Sequence, residues 1–218
     1  MKTVKIKDRA IGGDNPCYII AEIGSNHNGS LDLAKKLIDI AAASGADAVK
    51  FQVFKAEDLY SKYTPKFSYL KEENTYELIK SLELPKEWIR KLSVYCNDKN
   101  IAFLASVFDY DAVDILDRYV PAFKIASFEI TDLELIEYTA EKGKPMIIST
   151  GMANLGEIEE VIDFSMLKDE SEKALIKYIA KFPETTKIID SCGIEITKSC
   201  LLYTSDAADE LDGVDLGG

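Results

Sequence analysis

The chain has 218 residues, 47% hydrophobic and 29% charged, which suits one globular domain large enough to bury a sizeable core. Its formal charge of −12 sets it against phosphate backbones and anionic lipid surfaces, so nucleic acid and membrane are not expected as partners. A small anionic substrate remains compatible, because a site needs only a few local cations.

Residues 3–7 alternate as a short half-buried strand, and Gly12-Gly13-Asp14-Asn15-Pro16 is turn chemistry. From there, short apolar and β-branched runs alternate with amphipathic stretches. The runs at 18–23, 48–54, 101–108, 122–128, 146–150 and 187–190 are mostly apolar on both parities, as strands covered on both faces are. Ser30 is placed to cap a helix with the stripe Ala34, Leu37, Ile38 and Ala41, ended by Gly45. The stretch 60–84 is polar and aromatic, with one short helix expected at 75–82, and reads as an elaborated loop. Pro85 opens a helix marked by Trp88, Leu92 and Tyr95. Thr131-Asp132-Leu133-Glu134 is a capping box before a helix closed by Gly143, and Asn154-Leu155-Gly156-Glu157 repeats the logic. Repeated βα units predict an α/β fold on a parallel sheet, open or closed.

Cys17, Cys96, Cys192 and Cys200 have no CxxC or metal-ligand spacing and read as reduced thiols. There is no apolar leader, and no run approaches the roughly 18 apolar residues of a membrane span. A cytoplasmic protein is expected.

Polar residues gather at one end of the strands, where a parallel barrel places its chemistry. The first repeating strand ends Glu22-Ile23 and runs into Gly24-Ser25-Asn26-His27-Asn28-Gly29. The second holds Lys50 and Gln52, the third ends Ala105-Ser106-Val107-Phe108-Asp109, the fourth carries Lys124, Ser127 and Glu129, and the fifth ends Ser149-Thr150. A lysine inside a run buried on both faces is costly unless it meets an anion. Period-two alternation puts Lys50 and Gln52 on one face. Two lysines with the hydroxyls of Ser127 and Ser149 would form an anion cradle, oriented by Glu22 and Gln52. Each residue alone also has a plain structural reading: a strand lysine paired with a nearby glutamate, serines as turn or packing residues, His27 as a solvated turn residue. One histidine cannot build a two-histidine metal site.

Glu22-Ile23-Gly24-Ser25-Asn26-His27-Asn28-Gly29-Ser30, Gly45-Ala46-Asp47-Ala48-Val49-Lys50-Phe51-Gln52, Lys124-Ile125-Ala126-Ser127 and Ser149-Thr150-Gly151-Met152 together resemble the N-acetylneuraminate (sialic acid) synthase family, over about residues 4–163. Phe54-Lys55-Ala56-Glu57-Asp58-Leu59 resembles its sialic and legionaminic branches more than its pseudaminic branch. The resemblance implies a (β/α)8 TIM-type barrel followed by a small antifreeze-like domain. It implies condensation of phosphoenolpyruvate with an N-acyl-mannosamine-type sugar, release of phosphate, a divalent metal (Mn2+ or Mg2+) and a domain-swapped homodimer. Carried over by position, Lys50, Lys124, Ser127 and Ser149 would bind phosphoenolpyruvate. Glu22 and Gln52 would hold the sugar, and Glu129 would lie near the reacting centre. Asn26 and His27 would belong to a loop over the site.

The likeness fades after Asp163. The family's metal-binding histidines have no counterpart at Lys187-Ile188-Ile189-Asp190-Ser191-Cys192. The expectation is therefore a partial barrel at 1–199, truncated after about six strands, without the antifreeze-like domain and inactive as written. Residues 200–218 resemble an in-frame translation of a sequencing adapter, with five acids and no base, and are expected to be a non-native tail. The alternatives are another phosphoenolpyruvate-condensing synthase of 3-deoxy sugar acids, an aldolase-like barrel with Lys124 as a Schiff-base nucleophile, and a truncated barrel that binds anions without chemistry.

Overall fold

Every predicted apolar run within the described residues becomes a strand in the computed structural model, which describes residues 4–66, 74–166 and 175–178. The run at 187–190 and the tail at 200–218 lie outside them. The chain divides into two units, Met1–Ile19 with Pro121–Gly218, and Ile20–Val120.

The first unit begins with β1 (Val4–Ile6) and β2 (Arg9–Ile11), an antiparallel hairpin. Its turn passes through Lys7 at φ 55°, a left-handed conformation that a side chain rarely adopts. Val4 and Ile6 are buried and Lys5 is exposed, the alternation expected at 3–7.

The second unit runs β3 (Ile20–Gly24), α1 (Leu31–Ala43), β4 (Ala48–Val53), α2 (Ala56–Leu59), α3 (Thr75–Ser81), α4 (Lys86–Asp98), β5 (Ala102–Val107) and α5 (Tyr110–Leu116). Its three strands are parallel, in the order β3-β4-β5. The predicted cap holds: Ser30 Oγ accepts from the Leu33 N–H at 3.2 Å. Ala34, Ile38 and Ala41 face inward, and the chain leaves α1 through Gly45 at φ 81°. All six residues of β4 are buried, as are all six of β5. Phe51, Ile38, Ile89 and Leu92 are fully buried, each contributing about 2 kcal/mol of apolar transfer. Asp109, grouped by the sequence with the polar end of the third strand, instead caps α5, its Oδ1 accepting from the Ala112 N–H at 2.7 Å.

The first unit resumes with β6 (Phe123–Ile125), a 3₁₀ turn (Phe128–Thr131), α6 (Leu133–Ala140), β7 (Met146–Ser149), α7 (Leu155–Met166) and β8 (Leu175–Tyr178). β6, β7 and β8 are parallel and adjacent in that order. The expected strand at 122–128 is shorter because the chain turns into the 3₁₀ segment, which carries Glu129 off the strand end. The same segment takes Thr131, so Asp132 becomes the cap of α6 and accepts from the Leu135 N–H at 3.0 Å. The Asn154 box forms as expected: Asn154 Oδ1 accepts from the Glu157 N–H at 3.1 Å, and Glu157 Oε2 from the Asn154 N–H at 2.8 Å. β8 was not anticipated by the sequence pattern. Parallel strands joined by helices place the chain in the α/β class. Among the described residues, no helix is long and apolar enough to cross a membrane.

Candidate functional site

In the Ile20–Val120 unit, register decides which polar side chains meet. Glu22 pairs with Lys50 and Lys50 with Leu104, while Gln52 pairs with Ser106 one pleat further on. Partners in parallel strands share a face, so Glu22, Lys50, Gln52 and Ser106 line one side of the sheet. Lys50 forms an ion pair with Glu22, and its Nζ lies 3.5 Å from Ser106 Oγ, which accepts from it. Ser25 Oγ donates to Gln52 Oε1 at 3.3 Å. Lys50, Gln52, Ser25 and Ser106 are all buried, while the Glu22 side chain keeps 20% exposure. A buried cation, amide and two hydroxyls on one face form a polar patch, and the Glu22 carboxylate balances its charge. Lys50 thus adopts the glutamate-paired arrangement of the plain structural reading, in a setting that would also suit an incoming anion.

The strand before this patch is irregular. The register between β3 and β4 shifts between Glu22 and Gly24, and Gly24 sits at φ 53°. Such a bulge bends the strand and re-aims the residues after it, here the turn that delivers Ser25 to Gln52.

Asn26 is exposed, and its Nδ2 donates to the Ile23 carbonyl at 2.9 Å, so it holds its own turn. His27 departs from its plain reading as a solvated turn residue. It is fully buried rather than solvated, and its ring lies 6.5 Å from Phe51 and 5.8 Å from Trp88, centroid to centroid. Phe51 alternates with Lys50 and Gln52 along β4, so His27 packs on the face opposite theirs. Burial lowers its pKa below the ordinary histidine value.

In the other unit, Lys124 is buried in the middle of β6, and its Nζ donates to the Ile125 carbonyl at 2.9 Å. Lys124 pairs with Ile147, which puts Ser149, two residues on, on the same face. Ser127 lies two residues past the end of β6. Its hydroxyl is buried and has no hydrogen-bond partner among the described residues, a state that costs about 1–3 kcal/mol unless something supplies the bond. Glu129 is half-buried on the 3₁₀ turn.

Ser25 and Ser106, quoted among the polar strand ends but given no role in the sequence reading, join the Lys50 and Gln52 cluster. The signal for Ser106 was the strand register, which single-residue patterning does not contain. The divalent metal implied by the resemblance finds no ligand set here: among the described residues, no three His, Cys, Asp or Glu side chains gather to hold an ion.

The NeuB family pattern matches residues 37–195. The chain belongs to the NeuB family. Over 186 residues it is 40% identical to the spore coat polysaccharide biosynthesis protein SpsE of Bacillus subtilis, covering 84% of this chain and 50% of the relative. Over 151 residues it is 47% identical to the N,N'-diacetyllegionaminic acid synthase of Campylobacter jejuni, covering 66% of this chain and 45% of that one. Among solved structures, the N-acetylneuraminic acid synthetase of Leptospira borgpetersenii, in complex with citrate, superposes with a TM-score of 0.72 at 32% identity, covering 84% of this chain and 61% of the other. The chain thus spans about half the length of the curated relatives it matches.

Proposed function

We propose that this NeuB chain carries part of the machinery of a phosphoenolpyruvate-condensing synthase that makes a sialic- or legionaminic-type sugar acid. The observation that carries the proposal is the pairing of Lys50 and Gln52 on one buried face of β4, with Glu22 on one side and Ser106 on the other. Family membership supports the reaction class. The 47% identity to a legionaminic acid synthase favours an N-acylated amino sugar as the acceptor. The citrate bound by the Leptospira relative is a small polyanion, in keeping with an anion-handling site.

In the proposed reaction the enol carbon of phosphoenolpyruvate forms a bond to the aldehyde carbon of the open-chain sugar. Water adds at the resulting cationic carbon, the C–O bond that holds the phosphate then breaks, and inorganic phosphate leaves. The roles fall on groups described above. Lys50 and Lys124 neutralise carboxylate and phosphate charge, and Ser127 and Ser149 donate to those oxygens. Glu22 accepts from sugar hydroxyls and Gln52 orients the acyl sugar. Glu129 would act near the reacting centre, as the resemblance implies. An anion arriving at Lys50 would draw the ammonium away from Glu22, freeing that carboxylate for the sugar.

Calorimetric titration of phosphoenolpyruvate into the 218-residue chain tests this. Saturable binding is expected, weakened about tenfold or more in Lys50→Met and in Lys124→Met, the effect of losing one charge-assisted hydrogen bond. Unchanged affinity in both variants would overturn the assignment. Titration of mannosamine derivatives against aldose phosphates into the same chain separates this reading from a 3-deoxy sugar acid synthase.

A further inference from the structure

His27 is the one histidine of the chain and Trp88 its one tryptophan. The two rings meet edge to face at 73°, and the imidazole lies tilted on Phe51 at 32°. A phenyl ring would fill this apolar box without a polar atom to desolvate, so packing alone gives no reason for an imidazole. The reason lies on the ring nitrogens. His27 Nδ1 accepts from the Gly29 N–H at 3.2 Å, which places the proton of the neutral ring on Nε2. Nε2 is buried and has no hydrogen-bond partner among the described residues.

The Gly29 bond closes a turn that the backbone alone would not favour. Asn28 and Gly29 sit in succession at φ 45° and 69°, and for Asn28 this is the left-handed region. Backbone bonds continue the turn on both sides, from the Asn28 N–H to the Ser25 carbonyl at 3.1 Å and from the Ser30 N–H to the His27 carbonyl at 2.8 Å. At its upstream end stands Ser25, whose hydroxyl holds the Gln52 amide by its oxygen.

We propose that His27 is a positioning residue for Gln52: its imidazole, wedged against Trp88 and Phe51, pins the 25–30 turn through the Gly29 N–H and so keeps the Ser25 hydroxyl on the Gln52 amide. The inference rests on the proposed role of Gln52 in holding the sugar. It assigns His27 to sugar selection through this relay, without contact to the substrate.

The test uses the 218-residue chain with His27→Phe, which keeps a ring and loses the acceptor, and His27→Asn, which keeps an acceptor near the Nδ1 position and loses the ring. Nitrogen-15 NMR of the single imidazole should show the Nε2–H tautomer. The Phe variant should shift the Gln52 side-chain amide resonance and weaken N-acetylmannosamine binding about tenfold, the loss of roughly one hydrogen bond. Phosphoenolpyruvate affinity should hold, and the Asn variant should restore the Gln52 resonance. The proposal fails if the Phe variant keeps both the Gln52 resonance and the sugar affinity, if both ligands are lost alike, or if the proton sits on Nδ1. Should the Phe variant not fold, Ser25→Ala interrogates the same relay and should weaken sugar binding alone. If the wild-type chain binds neither ligand, the proposed function fails, while the tautomer and the Gln52 resonance still decide the role of His27.

Discussion

Lys50 on β4 and Glu22 on β3 are register partners joined by an ion pair, at the level of the sheet where the bulge at Gly24 begins. The pair is asymmetric, because the Lys50 side chain is 7% exposed and that of Glu22 20%. Glu22→Gln removes the carboxylate paired with a buried ammonium and should cost about 3 kcal/mol. Lys50→Met removes the buried charge and leaves the less buried side chain of the pair, so it should cost less, about 1 kcal/mol. Urea unfolding midpoints measure both, and equal losses would contradict the asymmetry.

Stability should fall on the acid side of neutrality through His27. Burial favours the neutral ring, so the folded chain binds this proton less readily than the unfolded chain, whose histidine has the ordinary value near 6.5. The stabilisation is complete above that value and is lost as the pH falls toward the depressed folded value. Because His27 is the sole histidine, the difference between wild-type and His27→Phe unfolding free energies, followed below pH 6.5, isolates the effect. A flat difference would contradict it.

The cap of α6 separates two adjacent residues. Asp132→Ala should cost about 1 kcal/mol, since its carboxylate satisfies the Leu135 N–H. Thr131→Ala should change stability by no more than about 0.5 kcal/mol. Denaturant melts of the two variants decide between them, and a larger loss at Thr131 would restore the capping box that the sequence suggests.

Tyr18 is pushed up to about 12 by burial, against the opposing pull of the Arg9 guanidinium 5.8 Å over its ring. In an alkaline absorbance titration its phenol should ionise beyond the ordinary tyrosine range. Tyr18→Phe should remove that late phase and leave the rest of the curve in place.

Much of this architecture was legible because a strand covered on both sides announces itself as an apolar run on both parities. The polar exceptions Lys50 and Gln52 then share a face by alternation alone. The caps at Ser30 and Asn154 were equally readable, because capping depends on residues three apart. Where the sequence misled, the deciding contact came from elsewhere. Asn-His-Asn-Gly looks like a wet turn, and the approach of Trp88 on α4 and Phe51 on β4 makes His27 a buried residue. Ser106 gains meaning from the pairing of β5 with β4. Glu129 and Thr131 shifted because the chain tightens into a 3₁₀ turn, a choice that local propensity does not fix. The strand at 175–178 lies in an apolar stretch that Lys177 interrupts, as Lys50 interrupts β4.

β4 carries two programmes at once, with Lys50 and Gln52 on even positions and Val49, Phe51 and Val53 on odd ones, all of them buried. Inserting or deleting a single residue would exchange the two sets, sending an ammonium into the aromatic layer and a benzyl group toward the polar patch. Over evolutionary time, this segment can therefore change its letters but not its length. Gains and losses of residues in the lineage should accumulate in the 54–84 connection that comes after it.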